Sequence, residues 1–370
     1  MNVIWFSGRQ INDLCATTQK SLAAGLTKRG HNVKFVNPDI QGTHAKYPWV
    51  HHGLPSNAIP GFKSMALSRK MVNWIKHQDM MKDTVAILDW RVAGKLSPIF
   101  DRMEVPWILM DRSPPADSNI LSRLQWYFWK RSWRLVKQHT NGVGCVVSSA
   151  HKEFVAGKIG LLDDKMVVIP AGVDTEVFYH GEKTPQLQLG YHGKIDDNRN
   201  LKQIIEIHSR LNKLGVEANL NLHGSGNGVK ELNRSHSDKV TITQPLDITT
   251  LSAKLSSYDI GFLPMTDQKV WRLASPLKRA EYLASGMIVV GIDHTGHRID
   301  GSGEWLRLYE EDNFIEEAVK FIASLEVAKL RELQNQARLF AESNLDWSPT
   351  VDRLSNLILM QSSRSTVNSK

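Results

Sequence analysis

Apolar residues in this chain come in short runs, separated by longer stretches with helical spacing. Val3 to Phe6 is one such run and closes in the turn Ser7-Gly8-Arg9. A few consecutive apolar residues bounded by turn signals fit a buried strand. Leu14, Leu22 and Leu26 then predict a helix to about Lys28, with Asn12 and Asp13 as cap candidates and Gly30 as its stop. Val33 to Val36 supplies a second strand, so the chain opens as a βαβ unit. Further strands are expected at Val85–Asp89, Val105–Met110, Val143–Val147 and Val167–Pro170. Residues 41–62 hold Gly42, Pro48, Gly53, Pro55, Pro60 and Gly61 and predict a loop. After the polar segment Tyr179–Gln186, which reads as a linker, the alternation resumes. Strands are expected at Leu187–Tyr191, Leu220–Leu222, Val240–Thr243, Ile260–Leu263 and Ile288–Val290, and two amphipathic helices at about Asn313–Phe340. Strands alternating with helices predict an α/β fold built on parallel sheets. The polar residues 361–370 are expected to fray.

Composition narrows this only a little. At 370 residues, two domains are the natural prior. With 41% hydrophobic and 23% charged residues, the chain has an ordinary globular make-up. Two cysteines, Cys15 and Cys145, suggest no disulfide framework, so a reducing cytoplasm fits. The apolar N-terminus is too short for a signal peptide, and no stretch approaches a membrane span. A formal charge of +8 favours anionic partners. Nucleic acid is disfavoured among these, since no recognised module accompanies the charge. A G-x-G-x-x-G fingerprint is absent, so no dinucleotide cofactor is indicated.

The chemistry concentrates in Ser275–Gly286, which reads S-P-L-K-R-A-E-Y-L-A-S-G. Ser275 is a good N-cap, Pro276 suits the first helical position and Gly286 suits a left-handed C-terminal cap. Lys278 and Arg279 fall in the first turn, where cations oppose the helix dipole. A phosphate at that helix end would reverse the sign. Glu281 shares a face with Lys278 and could accept from two hydroxyls. Together these suit a nucleotide's diphosphate and ribose. The plainer reading is an amphipathic helix with a solvated Lys-Arg pair.

The stretch resembles the donor-site helix of the retaining family 4 glycosyltransferases, which have the GT-B fold. Three other segments resemble that family in the same order: R-G-H-x-V (Arg29–Val33), V-I-P-A-G-V-D-T-E-V-F (Val168–Phe178) and G-K-x(4)-R-N (Gly193–Asn200). The resemblance implies two Rossmann-like domains facing each other across a cleft. The first, residues 1–180, would take the acceptor. The second, residues 187–345, would take a nucleotide-diphosphate sugar, and residues 346–360 would cross back to the first. It also implies site residues. Lys194 and Arg199 would be the catalytic cations, meeting charge on the leaving diphosphate. Gly8, Gly193, Gly224, Ser275, Lys278 and Glu281 would bind the donor, with Glu281 on the ribose. Asp111 and Arg112, in a polar turn after a strand, would contact acceptor or sugar, where family members often have a histidine. Neither a metal nor a cofactor is expected. Leu273 stands where the family often has an acid.

Two stretches lie outside the resemblance. Trp126, Trp129 and Trp133 recur on a predicted helix at 119–139, among Arg123, Lys130, Arg131, Arg134 and Lys137 and with no acidic residue. This suits an interfacial helix that places the chain on an anionic membrane at the cytoplasmic face. It equally suits tryptophans in the core with solvated cations. His44, His51 and His52 could suggest a metal, but no Asp, Glu or Cys lies among them at ligand spacing, so a surface or acceptor loop is expected. The sequence therefore implies a retaining, metal-independent transferase acting on a saccharide or lipid-linked acceptor. The alternatives are a nucleotide-sugar epimerase and a non-catalytic nucleotide-sugar-binding protein on the same scaffold.

Overall fold

The computed structural model describes the chain except for residues 14–15, 56–57, 59–61, 82, 116–119, 233–238 and 369–370, and the side chains of 120–122 and 364–368. Two compact units result: Met1–Pro170 with Trp347–Lys370, and Ala171–Asp346.

The first unit contains β1 (Asn2–Phe6), α1 (Thr17–Lys28), β2 (Asn32–Asn37), β3 (Val50–Gly53), α2 (Lys63–Lys76), β4 (Thr84–Asp89) and α3 (Trp90–Arg102). It continues with β5 (Trp107–Met110), α4 (Ile120–Gln138), β6 (Gly142–Val146), α5 (Ser149–Ile159) and β7 (Met166–Val168). Its strands form one parallel sheet in the order β3-β2-β1-β4-β5-β6-β7. The order reverses between β1 and β4, and open α/β sheets place their ligands at such a point, beyond the strands' C-terminal ends.

The second unit contains β8 (Leu187–Lys194), α6 (Leu201–Lys213), β9 (Ala218–Ser225), α7 (Val229–Leu232), β10 (Val240–Thr243), α8 (Ile248–Ser256) and β11 (Ile260–Leu263). It is completed by α9 (Lys269–Arg272), α10 (Leu277–Ala284), β12 (Ile288–Ile292), β13 (Leu306–Tyr309), α11 (Phe314–Ala323) and α12 (Val327–Asn344). This sheet is also parallel, in the order β10-β9-β8-β11-β12-β13, with its reversal between β8 and β11.

The last helix, α13 (Trp347–Asn368), belongs to the first unit and packs on α1. Arg29 donates to the Ser348 carbonyl at 2.9 Å, to Ser348 Oγ at 2.7 Å and to Asp352 Oδ1 at 2.5 Å. His31 Nε2 lies 2.8 Å from Ser355 Oγ. The R-G-H-x-V turn thus anchors the returning helix. That helix runs on to Asn368, where the polar composition suggested fraying.

Three other expectations need correcting. The loop at 41–62 contains β3, an edge strand paired with β2. The V-I-P-A-G-V-D-T-E-V-F run does not close the first unit at residue 180, because the division falls after Pro170. Residues from Ala171 onward are bound within the second unit: the Val173 N–H donates to the Leu345 carbonyl at 2.8 Å, and Arg338 donates to the carbonyls of Thr175, Phe178 and Ala284.

The third correction concerns the tryptophans. Trp129 and Trp133 are fully buried, so they are no membrane anchors, and Trp126 packs edge-on against Trp129. Their indole N–H groups both donate to Asp111 Oδ2, at 2.5 and 2.9 Å. His151 Nε2 lies 3.3 Å from the same oxygen, and the Ser113 N–H donates to Oδ1 at 3.2 Å. Burial by itself raises the Asp111 pKa, but His151 and the two indole donors outweigh it and hold the carboxyl below its ordinary value. Asp111 is therefore a core group of the first unit, satisfied from within, and not the exposed acceptor or sugar contact expected. Arg123, Lys130, Arg131, Arg134 and Lys137 are all exposed on the same helix.

The buried cluster around Asp111 predicts the cost of losing it. Asp111→Ala leaves two buried indole N–H groups without their acceptor and removes the carboxylate 3.3 Å from His151 Nε2. Breaking a buried charged network costs about 3–5 kcal/mol. For a unit of this size each kcal/mol lowers Tm by roughly 2–4 °C. Differential scanning calorimetry should therefore show a drop of about 10 °C or an unfolded first unit. A variant as stable as wild type would return Asp111 to the list of ligand contacts.

Candidate functional site

The expected donor residues meet at the strand-order reversal of the second sheet. Gly193 and Lys194 end β8, and α10 follows β11. Gly193 has φ +118°, a conformation open to glycine, and a Cβ there would meet Lys278 Cε at 2.8 Å. Its partner across the sheet is Gly224, where a Cβ would stand only 1.8 Å from the Gly193 carbonyl oxygen. Gly224 is thus required by its neighbour's backbone. The Gly228 N–H donates to the Ile195 carbonyl at 2.9 Å. The glycine-rich 224–228 turn buttresses the Gly193–Asp196 loop.

The stretch around α10 departs from its expected cap. The helix begins at Leu277 with Pro276 as its N-cap, and no side chain caps it. Ser275 Oγ instead accepts from the Ala171 N–H at 3.1 Å. Gly286 has φ +65° just beyond the helix, as expected for its left-handed cap. Arg279 is not solvated. It is buried and donates to the Gly296 and Arg298 carbonyls at 3.0 and 2.8 Å, fixing the segment after β12, and burial pulls its pKa down to about 10.

Lys278 turns the other way. Its Nζ donates to Tyr191 Oη at 2.9 Å and sits 4.3 Å from the centre of that ring. Tyr191 Oη in turn donates to the Lys194 carbonyl at 2.8 Å. Arg199, in the turn before α6, stacks its guanidinium 4.2 Å from the Trp271 ring centre, and its Nε is buried without a hydrogen-bond partner. Burial, then the positive charge of Arg199, pull the Lys278 pKa down to about 7 against the opposing pull of Glu281. Two adjacent cations with aromatic company form a place for an anion of at least two charges.

Glu281 lies one turn along α10 from Lys278, beside a residue that the sequence reading passed over. His192 Nε2 is 2.9 Å from Glu281 Oε2. Its position just before Gly193 was the only signal, and a lone histidine at a strand end is a weak one.

The remaining expected residues belong to the first unit. Gly8 follows β1, where Arg91 closes on it: an added Cβ would be 3.0 Å from Arg91 Cβ. Arg112 donates to the Ile169 carbonyl at 2.6 Å, and burial lowers its pKa to about 10. Among the described residues one His/Cys/Asp/Glu group has its ligand atoms close together: Asp39, His44 and His51. His44 and His51 are buried, which corrects the surface-loop expectation. His44 Nε2 meets Asp39 Oδ2 at 2.8 Å, while His44 Nδ1 accepts from Trp49 Nε1 at 3.1 Å. His51 Nε2 meets Asn37 Oδ1 at 2.9 Å, and burial followed by His44 brings its pKa to about 4. Three of the four ring nitrogens thus serve a hydrogen-bonded network that folds the loop onto β2.

Comparison with known proteins adds the context. A family model described as Glycosyltransferase Family 4 matches residues 16–177. No curated protein sequence matches the chain. In structure it is similar to sucrose-phosphate synthase from Thermosynechococcus elongatus, at TM-score 0.77 and 13% identity over all of both chains. It is similar to a glycosyltransferase from Rickettsia africae, at TM-score 0.76 and 14% identity over 97% of this chain and 98% of that one. It is also similar to Anabaena HepE, solved with UDP and glucose, at TM-score 0.72 and 12% identity over 97% of this chain and all of that one. At these identities the likeness shows a shared fold.

The state of Lys278 carries a pH signature. Its ammonium is present below about pH 7 in the free chain and is lost above it. A polyphosphate anion binds the charged form, so affinity should fall as pH rises from 7 to 9, by up to roughly tenfold per unit. Calorimetric titration with pyrophosphate over that range measures this, with sulfate, a dianion throughout, as the control for the pyrophosphate's own gain of charge. Lys278→Arg should flatten the profile. A wild-type profile that is already flat would remove Lys278 from the anion site.

Proposed function

We propose that this chain, a glycosyltransferase of the GT-B fold with a family 4 match over residues 16–177, transfers a sugar from a nucleotide-diphosphate sugar to a saccharide or lipid-linked acceptor, retaining configuration. The observation that carries the donor assignment is the α10 face. Lys278 and Arg199 form a paired cationic place, with the Glu281 carboxylate one helical turn beyond. A diphosphate meets the first and a ribose diol the second. The second unit is thus read as the donor domain and the first as the acceptor domain.

In this reading Lys194, Arg199 and Lys278 stabilise the charge that grows on the departing diphosphate, so catalysis needs no divalent ion. The departing phosphate takes the acceptor's proton on the same face of the sugar, which gives retention. Glu281 holds the nucleoside and is not a nucleophile. A second reading, donor binding without turnover, draws on Leu273. That side chain is buried and apolar where the resembled family often has an acid.

The charge on α4 supports a membrane-borne acceptor. Arg123, Lys130, Arg131, Arg134 and Lys137 are exposed, the helix carries no acidic residue, and Tyr127 is half-exposed beside them. With the tryptophans inside, any attachment is electrostatic, at about 1 kcal/mol per cation near an anionic surface. Among the described residues no helix is long and apolar enough to cross a membrane.

Three experiments test these statements. Glu281→Gln should weaken binding of the preferred nucleotide sugar at least roughly tenfold, the cost of one charged hydrogen bond. Wild-type transfer should persist in EDTA while Lys194→Ala and Arg199→Ala lose kcat. Unchanged affinity in a folded Glu281→Gln, or EDTA inactivation reversed by magnesium, would sink the corresponding assignment. Vesicle co-sedimentation addresses the second point. Arg123, Lys130, Arg134 and Lys137 changed together to Gln should abolish binding to anionic vesicles without moving Tm. Wild-type protein that ignores such vesicles at low salt would point to a soluble acceptor.

A further inference from the structure

Tyr191 lies in none of the sequence motifs, yet it touches Lys278 through its side chain and Lys194 through that residue's backbone. It sits in β8 and is fully buried. Its Oη donates to the Lys194 carbonyl at 2.8 Å and accepts from Lys278 Nζ at 2.9 Å. A carbonyl oxygen can only accept, so the single phenol hydrogen is committed to Lys194. Oη therefore turns lone pairs alone toward Lys278. The ring turns its negative face as well, with Nζ 4.3 Å from its centre. The lysine stem also crosses Gly193, where an added Cβ would meet Cε at 2.8 Å and Nζ at 3.1 Å. Lysine is a point charge on a flexible four-carbon stem, and these contacts fix its end.

We propose that Tyr191 is a positioning residue of the anion site: its hydroxyl and ring hold the Lys278 ammonium against the Lys194 turn, so that α10 and the end of β8 meet a diphosphate as one unit. This rests on the diphosphate reading above. The contact favours the charged lysine. Burial pushes the Tyr191 phenol up to about 13, so it keeps its hydrogen near neutral pH and supports the ammonium as a dipole and a ring face, not as a counter-ion. The charged groups around the pair divide. Arg199, from the turn before α6, works against the ammonium, and Glu281 on α10 works for it. Arg199 and Asp196 act on the tyrosine with opposite signs. His297, after β12, is held well below its ordinary pKa, chiefly by burial, and stays neutral. Among these groups Tyr191 is the one in hydrogen-bond contact with Nζ. Removing its oxygen while keeping its ring therefore weakens the ammonium more than the free amine.

Full-length protein labelled with carbon-13 at lysine Cε and tyrosine Cζ reads both partners by NMR without a ligand. The Lys278 signal, identified by its loss in Lys278→Arg, should titrate near pH 7 in wild type. In Tyr191→Phe its midpoint should fall by about one pH unit. In wild type one tyrosine Cζ signal should shift with the same midpoint and lose that step in Lys278→Arg. This second reading needs no change at Tyr191 and decides the matter if the phenylalanine protein does not fold. Calorimetry with pyrophosphate at pH 8 reads the consequence. Tyr191→Phe should weaken binding about tenfold, and by less than about twofold when Lys278 is already arginine. A tyrosine that only packs would cost the same in both backgrounds. An unmoved Lys278 midpoint in folded Tyr191→Phe, a wild type with no such tyrosine step, or equal losses in the two backgrounds overturns the proposal. Wild-type protein that binds no pyrophosphate, with both titrations as stated, overturns the diphosphate reading, and the positioning role falls with it.

Discussion

Two enclosed cations set the terms for the second unit. Lys278 and Arg199 sit near one another with the rings of Tyr191 and Trp271 as company, and burial and the arginine's charge both work against the lysine's. Taking a charge out of water is unfavourable unless something compensates, and a second cation makes it worse. Aromatic faces offset part of this. Other features hold the arrangement in place. Gly193 leaves room for the lysine stem, Gly224 accepts the Gly193 carbonyl where a side chain could not, and Tyr191 ties the lysine to the Lys194 carbonyl. Arg279, one residue from Lys278, is spent on the Gly296 and Arg298 carbonyls. Adjacent residues of like charge thus take different partners, one fixing backbone carbonyls and the other meeting the Tyr191 hydroxyl and ring.

Much of this was legible in the sequence. The alternation of strands and helices and the βαβ opening follow from periodicity and turn residues, and the structure has both; the return of the chain at its end was implied only by the family resemblance, and Trp347–Lys370 belong to the first unit. Lys278 and Glu281 could be placed on one helical face by spacing alone. Ser275 could not be read correctly, because capping chemistry does not reveal that the Ala171 N–H, far away in sequence, takes the hydroxyl first. Nor could Arg279, since charge pattern shows a cation but not the carbonyls that will surround it. His192 was invisible for the same reason: its meaning lies in its distance to Glu281, which only the strand order sets. The edge strand β3 was hidden by the glycines and prolines around it.

The tryptophan helix shows where spacing stops informing. A period of three and four residues puts Trp126, Trp129 and Trp133 on one face and says nothing about what that face meets. The decision lies in Asp111, a carboxylate on another strand whose oxygen takes both indole N–H groups. A buried carboxylate is tolerable only when surrounded by donors, and tryptophan brings a donor on a large apolar body. Asp111 and the stripe therefore explain each other, and neither is interpretable alone. The same residue had been read as a ligand contact because polar turns after strands are common ligand positions.

The two units differ in where their clustered cations lie. In the first, Asp39, Asp89 and Asp111 are drawn inside while the cations of α4 stay in water. Its positive field is thus external, additive over many groups and open to screening within a Debye length of about 8 Å at physiological salt. In the second, Arg279 is buried, Lys278 and Arg199 are partly buried against aromatic rings, and Glu281 Oε2 lies 2.9 Å from His192 Nε2. Enclosed charges are screened far less and act over one ligand's length, so they select by geometry. A net charge of +8 is therefore not one property of this chain. One part of it forms a diffuse field over a helix face, and another is a fixed pair that the proposed function assigns to a diphosphate. Salt should weaken the former well before the latter.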